Sequence, residues 1–177
     1  MRAPSKVPAT SDALEEERHL ETNKQIARAV VDRIFVGGED AAIDELIAPD
    51  FKPHTFGPMP PGRDGLREGM RRAHAGVSDP AFEIHDMIAD QDRVAVRLTT
   101  SARHTGTLMG QAPTGRRYEI DEIHVFRIRN GQVQDHWHAF DKADLMRQLT
   151  GEPEGGKTNG GVAAGGRRDN RDEWDAD

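Results

Sequence analysis

The stretches VAVRLTTSARH (residues 94–104) and YEIDEIHVFRIRNGQVQDHWHAF (residues 118–140) decide the fold. In the first, Val94, Val96, Leu98, Thr100 and Ala102 fall on every second position, and His104 shares their parity. In the second, Tyr118, Ile120, Glu122, His124, Phe126 and Ile128 do the same. A period of two marks a strand with one buried face, because successive side chains point to opposite sides. Asn130-Gly131 turns the second run back into residues 132–140, since this pair tolerates the positive φ that a tight hairpin requires. Upstream, Phe82 and Ile84 lead into another strand, and residues 90–93 turn it into the 94–104 run.

Toward the N-terminus the period changes. Ile26, Val30 and Ile34, with Ala27, Val31 and Phe35, recur at three and four, which predicts a long amphipathic helix ending at Gly37-Gly38. Asp12, three residues before Glu15, has the spacing of its N-cap. A short helix follows over residues 39–47, burying Ile43, Leu46 and Ile47, with Pro49 as its stop. A third, over residues 63–74, buries Leu66 and Met70. Helices first and a meander of long strands afterwards is an α+β order, not the alternation of a parallel sheet. The sheet must curl around the helices to hide its apolar face. Asp141 is placed to cap a final turn into Leu145 and Leu149.

The chain has 177 residues, a formal charge of −7, 31% charged and 35% hydrophobic residues, and no cysteine. One domain is the default at this length. Without thiols there is no disulfide framework, Cys-ligated zinc, iron–sulfur cluster or cysteine nucleophile. No stretch reaches the roughly 20 apolar residues of a membrane span, and residues 1–20 are charged, unlike a signal peptide. The acidic balance lacks the basic stripe of a nucleic-acid groove. A soluble, cytoplasmic protein whose partners are small molecules or proteins is expected. Residues 151–177 hold seven of the eighteen glycines and almost no aliphatic residue, so they read as a disordered, charged tail in which Trp174 has no evident partner. Residues 1–11 read as loose, leaving residues 12–150 as the domain.

Five of the eight histidines, His54, His104, His124, His136 and His138, fall in or beside the strand segments. His136 and His138 share a face, and His104 and His124 continue the apolar parity of their strands. Whether they meet depends on the hairpin. A two-residue turn would set Trp137 opposite His124 and separate the faces. A three-residue loop, Arg129-Asn130-Gly131 with a bulge at Gly131, sets His124 opposite His136 and Glu122 opposite His138. This loop, or an equivalent bulge further along, is expected because it gathers four titratable groups on the concave side. An inward histidine is either a satisfied core residue or a catalyst, and four together favour chemistry. As a metal set, Glu122, His124, His136 and His138 offer imidazole and carboxylate. His19, His74 and His85 read as solvated, Arg71-Arg72 and Arg116-Arg117 as solvated faces or edge protection. Residues 57–62, with Met59, read as a connector or a pocket lip. No phosphate cradle, nucleophile elbow or dinucleotide fingerprint occurs, so no nucleotide cofactor is indicated.

The run His104-Thr105-Gly106, Gly110, Pro113-Thr114-Gly115-Arg116, Ile123-His124-Val125-Phe126-Arg127 and Asn130-Gly131, followed by His136-Trp137, Asp141 and Gln148-Leu149, resembles the SnoaL-like polyketide cyclase (ester cyclase) family over roughly residues 23–150. The resemblance implies a cone-shaped α+β barrel of the nuclear transport factor two-like type, with a curved sheet around a deep apolar cavity. It also implies closure of the last ring of aromatic polyketides by an intramolecular aldol reaction, without metal or organic cofactor, using an Asp of the final strand as acid/base. The family's cavity histidines fall on His124 and His104. Its early cavity Asn falls at or next to Pro53-His54, and its Asp falls on His138, so two polar positions have changed type.

The expected function is therefore cofactor-free acid/base ring closure, or a related isomerisation, of a hydrophobic enolisable polyketide or ester. His138, His124 and His104 are the expected catalytic residues. His54, Glu122, His136, Phe126 and Trp137 are expected around the substrate. Histidine, whose ordinary pKa is about 6.5, suits proton transfer at neutral pH, and Glu122 or Asp141 is the alternative carrier. An epoxide hydrolase or ketone isomerase in the same cavity, a metal-dependent version, and a non-catalytic binding module are the rival readings. The outward Ala95, Arg97, Thr99 and Ser101 suit a polar homodimer interface.

Overall fold

Thr10 starts the first helix by accepting a hydrogen bond from the Ala13 amide at 3.3 Å, so the cap lies two residues ahead of Asp12. Asp12 sits instead in the first turn, where its charge meets the positive end of the helix. The computed structural model describes residues 10–54 and 60–151. The expectations for residues 1–9, for Met59 in its loop and for the tail beyond Gly151 lie outside the described residues.

Helix α1 (Ser11–Ala29) runs directly into a π-helical segment, Val30–Val36, that ends at Gly37 and at Gly38 with its φ of 63°. Helix α2 (Asp40–Leu46) passes without a loop into strand β1 (Ile47–Pro53). Helix α3 (Gly62–Gly76), strands β2 (Val77–Asp90), β3 (Arg93–His104), β4 (Arg117–Arg129) and β5 (Gln132–Phe140), and helix α4 (Lys142–Thr150) follow. The sheet order is β1-β5-β4-β3-β2, parallel only where β1 meets β5. This is the expected α+β architecture with a mixed sheet. Strand β1 was not expected, because its sequence IAPDFKP carries two prolines; at the edge of a sheet a missing amide donor is tolerated.

The inner face of the sheet buries Val94, Val96, Leu98 and Phe126 against Ala27, Val31, Ile34 and Phe35 of the first helix and its π-helical continuation. Leu98 has no solvent exposure, so its side chain supplies roughly 2 kcal/mol of burial. A second cluster packs Tyr118 and Ile120 of β4 under Leu145 and Leu149 of α4. Asp141 caps α4 as expected, accepting from the Asp144 amide at 2.9 Å.

The β4–β5 hairpin decides the site, and it uses neither register expected from the turn alone. Asn130 and Gly131 both take positive φ, 51° and 76°, so the turn has two residues and pairs Arg129 with Gln132. The three-residue loop does not form. The register shifts one step later: Ile128 pairs with Val133 but Arg127 with Asp135, which leaves Gln134 as the extra residue of a bulge. Beyond it Phe126 faces His136 and His124 faces His138, while Glu122 faces Phe140. The bulge restores a common face for the histidines, which the turn by itself would have separated.

Candidate active site

Strand alternation points Glu122, His124 and Phe126 of β4 to the inner face, and β5 adds His136 and His138 from the neighbouring strand. The four titratable groups are buried, none more than 8% exposed. Their rings stack: His124 lies 4.3 Å from His138 and 5.1 Å from His136 between centroids, with planes inclined by 17° and 6°. Glu122 Oε2 is 2.9 Å from His124 Nε2 and 3.0 Å from His138 Nε2, while His124 Nδ1 is 2.9 Å from His136 Nε2.

Those contacts assign the protons. An ionised carboxylate only accepts, so His124 and His138 each donate from Nε2 to the same oxygen. Neutral His124 then has its lone pair on Nδ1, and His136 donates to it. Burial by itself would raise the Glu122 carboxyl, but the hydrogen bonds from His124 and His138 outweigh it and hold the group at about 2. Burial lowers His124, against the pull of Glu122, and pushes His136 well down, so both are neutral at pH 7. Both hydrogen bonds of Glu122 go to Oε2, and Oε1 has none among the described residues.

Glu122 and His124 form part of the wall of an apolar cavity of about 170 Å³, with Phe35, Phe82, Met70 and Leu108 around it. Thr100 and Tyr118 also line it. Burial and the nearby Glu122 charge push the Tyr118 phenol up to about 12, so it stays a donor. Phe35, from the π-helical segment, packs 5.4 Å from the His124 ring, in keeping with the frequent placement of π-helical turns at functional sites. His74 lines the same cavity and donates from Nε2 to the Phe35 carbonyl at 2.8 Å, so it is a half-buried support rather than the solvated residue expected. His19 and His85 are exposed, as expected.

Other expected site residues lie apart from this wall. His138 is not among the residues lining this cavity and contacts its wall at Glu122, while His136 and Phe126 stack on each other at 4.7 Å, also outside the lining. His104 is fully buried further along β3, with Nδ1 3.0 Å from Thr114 Oγ1, and does not touch the cluster. Trp137 falls between His136 and His138 in the alternation and therefore faces the opposite side of the sheet. His54 follows it there, stacked on the indole at 4.5 Å and 2.7 Å from Asp135 Oδ1, with Arg127 over the same ring. His54 and Trp137, expected around the substrate, thus lie on the face of the sheet away from Glu122 and His124. In sequence, Phe35, Tyr118 and Thr100 carry no signal beyond membership of a periodic apolar face. The three atoms that meet at Glu122, His124 and His138 lie within 4.8 Å of one another and satisfy each other directly.

The family model for SnoaL-like polyketide cyclases matches residues 25–149. The nogalonic acid methyl ester cyclase of Streptomyces nogalater is 38% identical over 128 residues, 67% of this chain and 90% of that protein. The aklanonic acid methyl ester cyclase of Streptomyces peucetius is 42% identical over 60 residues, 34% of this chain and 41% of that relative, so the matched stretch spans about two-fifths of its length. Among solved structures, TsrD from Streptomyces laurentii superposes with a TM-score of 0.68 at 26% identity, covering 73% of this chain and 95% of TsrD. The fold is shared by a SnoaL-like polyketide cyclase from Agrobacterium tumefaciens, with a TM-score of 0.61 at 21% identity over 72% of this chain and 97% of that one. With a family model covering most of the described residues and a relative matched over nearly its whole length, the chain belongs to the SnoaL-like polyketide cyclase family.

Proposed function

We propose that the protein closes a ring in a hydrophobic, enolisable polyketide ester by cofactor-free acid/base catalysis of the intramolecular aldol type. One observation carries the reading: a buried carboxylate at the wall of an apolar cavity spends one oxygen on two imidazoles and keeps the other without a partner among the described residues. The family resemblance puts an acid/base Asp at position 138. Here His138 stands there, and the carboxylate stands across the strand pair at Glu122, 3.0 Å away.

In the proposed reaction Glu122 Oε1 takes the α-proton of a carbon flanked by two carbonyls. The resulting enolate carbon attacks a second carbonyl of the same molecule, forming one C–C bond and an alkoxide. The proton returns to that alkoxide, so the ring closes without loss of atoms. An apolar substrate strips water from the carboxylate, and the burial that opposes ionisation then raises its basicity. His138 and His124 hold Glu122 in place and stabilise its charge, while His136 fixes the His124 tautomer. Such acid/base transfer supplies about 10²–10⁴-fold, and holding the two reacting carbons together in the cavity supplies further rate.

Incubation of the purified protein with nogalonic acid methyl ester tests the reading. Cyclised product is expected from the wild type, with turnover lowered at least tenfold in His138→Ala and further in Glu122→Gln. No product from the wild type, or unchanged turnover in Glu122→Gln, would refute it. Two finer points belong to the same proposal. The chain works in the cytoplasm, consistent with its lack of cysteine. It works as a homodimer that covers the outer sheet face, where Ile123 is 50% exposed and Ala139 pairs beside it; sedimentation at micromolar concentration should give twice the chain mass.

A further inference from the structure

We infer that Thr100 supplies the hydrogen bond that holds the substrate's enolate oxygen, an inference that rests on the enolising reaction proposed above. Thr100 lies on β3 at the cavity wall and is 6% exposed, yet its Oγ1 has no partner among the described residues. Its cross-strand neighbours are Phe82 on β2 and Ile120 on β4, both apolar, so neither offers it a partner. A buried hydroxyl left unpaired is destabilising. Valine has the same branched shape and suits a strand equally well, so packing alone gives no reason for the oxygen. A cavity-facing ligand atom gives one.

The register fixes where that atom would be. Leu98 pairs with Glu122 and Thr100 with Ile120, so Thr100 is the diagonal same-face neighbour of Glu122, at a separation of roughly 7–8 Å. A hydrogen bond of about 2.8 Å, a carbonyl oxygen about 2.4 Å from its α-carbon, and a reacting contact of about 3 Å together span that gap with bends. One face of the substrate thus meets Glu122 at the α-carbon, while the carbonyl oxygen meets Thr100. As the C–H bond breaks, its proton passes to Glu122 and its electron pair moves onto the carbonyl oxygen. The Thr100 O–H stays intact and donates a hydrogen bond that strengthens as charge develops there. Tyr118, opposite Ala102, lies further along β4 from Glu122 and is less well placed for that oxygen.

Thr100→Val and Thr100→Ser test the assignment in the full chain with three readouts. Thr100→Val should melt at or above the wild-type temperature, showing that the fold is intact. Its kcat with nogalonic acid methyl ester should fall roughly 100-fold, the effect typical of losing one donor to a developing oxyanion, with KM changed far less. Thr100→Ser, which keeps the hydroxyl, should recover most of the activity. Binding of 1,8-dihydroxyanthraquinone, a planar tricycle with carbonyl and phenolic oxygens, is followed by its fluorescence as a readout independent of turnover. It should weaken about tenfold in Thr100→Val and stay near wild type in Thr100→Ser. If the wild type fails to cyclise the ester, the functional reading falls and the binding arm alone decides this inference. Equal binding by wild type and Thr100→Val, no binding by the wild type, or equal kcat in an active Thr100→Val enzyme each overturns it.

Discussion

Replacing Glu122 with Gln keeps the shape of the side chain and removes its charge, which makes it the sharpest probe of the buried cluster. The carboxyl is held at about 2 against an ordinary 4.5. That difference corresponds to roughly 3 kcal/mol in favour of the charged form in the folded protein. A neutral amide forfeits most of it, and the amide oxygen cannot serve both imidazoles as well as the carboxylate does. If the amide nitrogen faces His124 Nε2, that histidine must move its proton to Nδ1, where His136 already donates. For a folded body of this size, 3 kcal/mol lowers the melting temperature by about 10 °C at pH 7. The depressed carboxyl contributes stability that is complete above pH 4.5 and lost as pH falls toward 2. The gap between wild type and Glu122→Gln should therefore narrow across that window. Thermal unfolding followed by circular dichroism at pH 7 and pH 3 reads both numbers, and turnover at pH 7 should fall about 10²–10⁴-fold. A melting temperature within 2 °C of wild type at pH 7 would refute the account of Glu122 as an ionised hub.

Three further outcomes follow from neighbouring contacts. Burial keeps His124 and His136 neutral in the fold, whereas the unfolded chain takes up protons below about 6.5; stability should therefore fall as pH drops from 6.5 toward 5, and a flat profile there would show that the pair is not buried neutral. His136→Phe can stack with Phe126 but no longer donates to His124 Nδ1, so kcat should fall about tenfold with a shifted pH profile while His136→Gln recovers part of it, which kinetics at pH 6 to 8 would measure. Leu98→Ala empties the inner face beneath Glu122 and should cost about 2–5 kcal/mol in chemical denaturation, with KM for the ester raised if the cavity wall relaxes.

Much of this architecture was legible because strand and helix periods are strong along most of the chain. Strands β3 to β5 and the first helix carry long, regular patterns, and Asn130-Gly131 marks a turn, though not its length. Strand β1 was hidden because two prolines in seven residues argue against any strand except an edge one. The π-helical turns of Val30–Val36 leave no separate signature in a pattern of threes and fours. The histidine cluster was legible in outline and not in detail. Parity pairs Glu122 with His124 and His136 with His138, but whether the two pairs share a face, and which rings touch, depends on the bulge at Gln134, a residue with nothing unusual in its type. Trp137 obeys the same rule: adjacent residues of a strand face opposite ways, so it lies on the side away from His136 and His138, with His54 stacked on it. Thr100 and Tyr118 read as ordinary members of an apolar face, and only the cavity reveals their oxygens.

The position of the carboxylate ties these points together. A carboxylate on β5 at position 138 would stand opposite His124 and serve one imidazole directly. Moved to Glu122 on β4, it lies beside His124 on its own strand and diagonal to His138 on the next, so one oxygen serves both while the other remains open. A glutamate has one more methylene than an aspartate to cover that diagonal. The arrangement also explains why four buried titratable groups coexist without crowding positive charge: burial keeps His124 and His136 uncharged, and the single anion answers the donors that point at it. In the proposed reaction, proton transfer at this wall then depends on one oxygen of one residue. The second carboxylate oxygen, and not any imidazole nitrogen, is the atom whose loss should stop the chemistry.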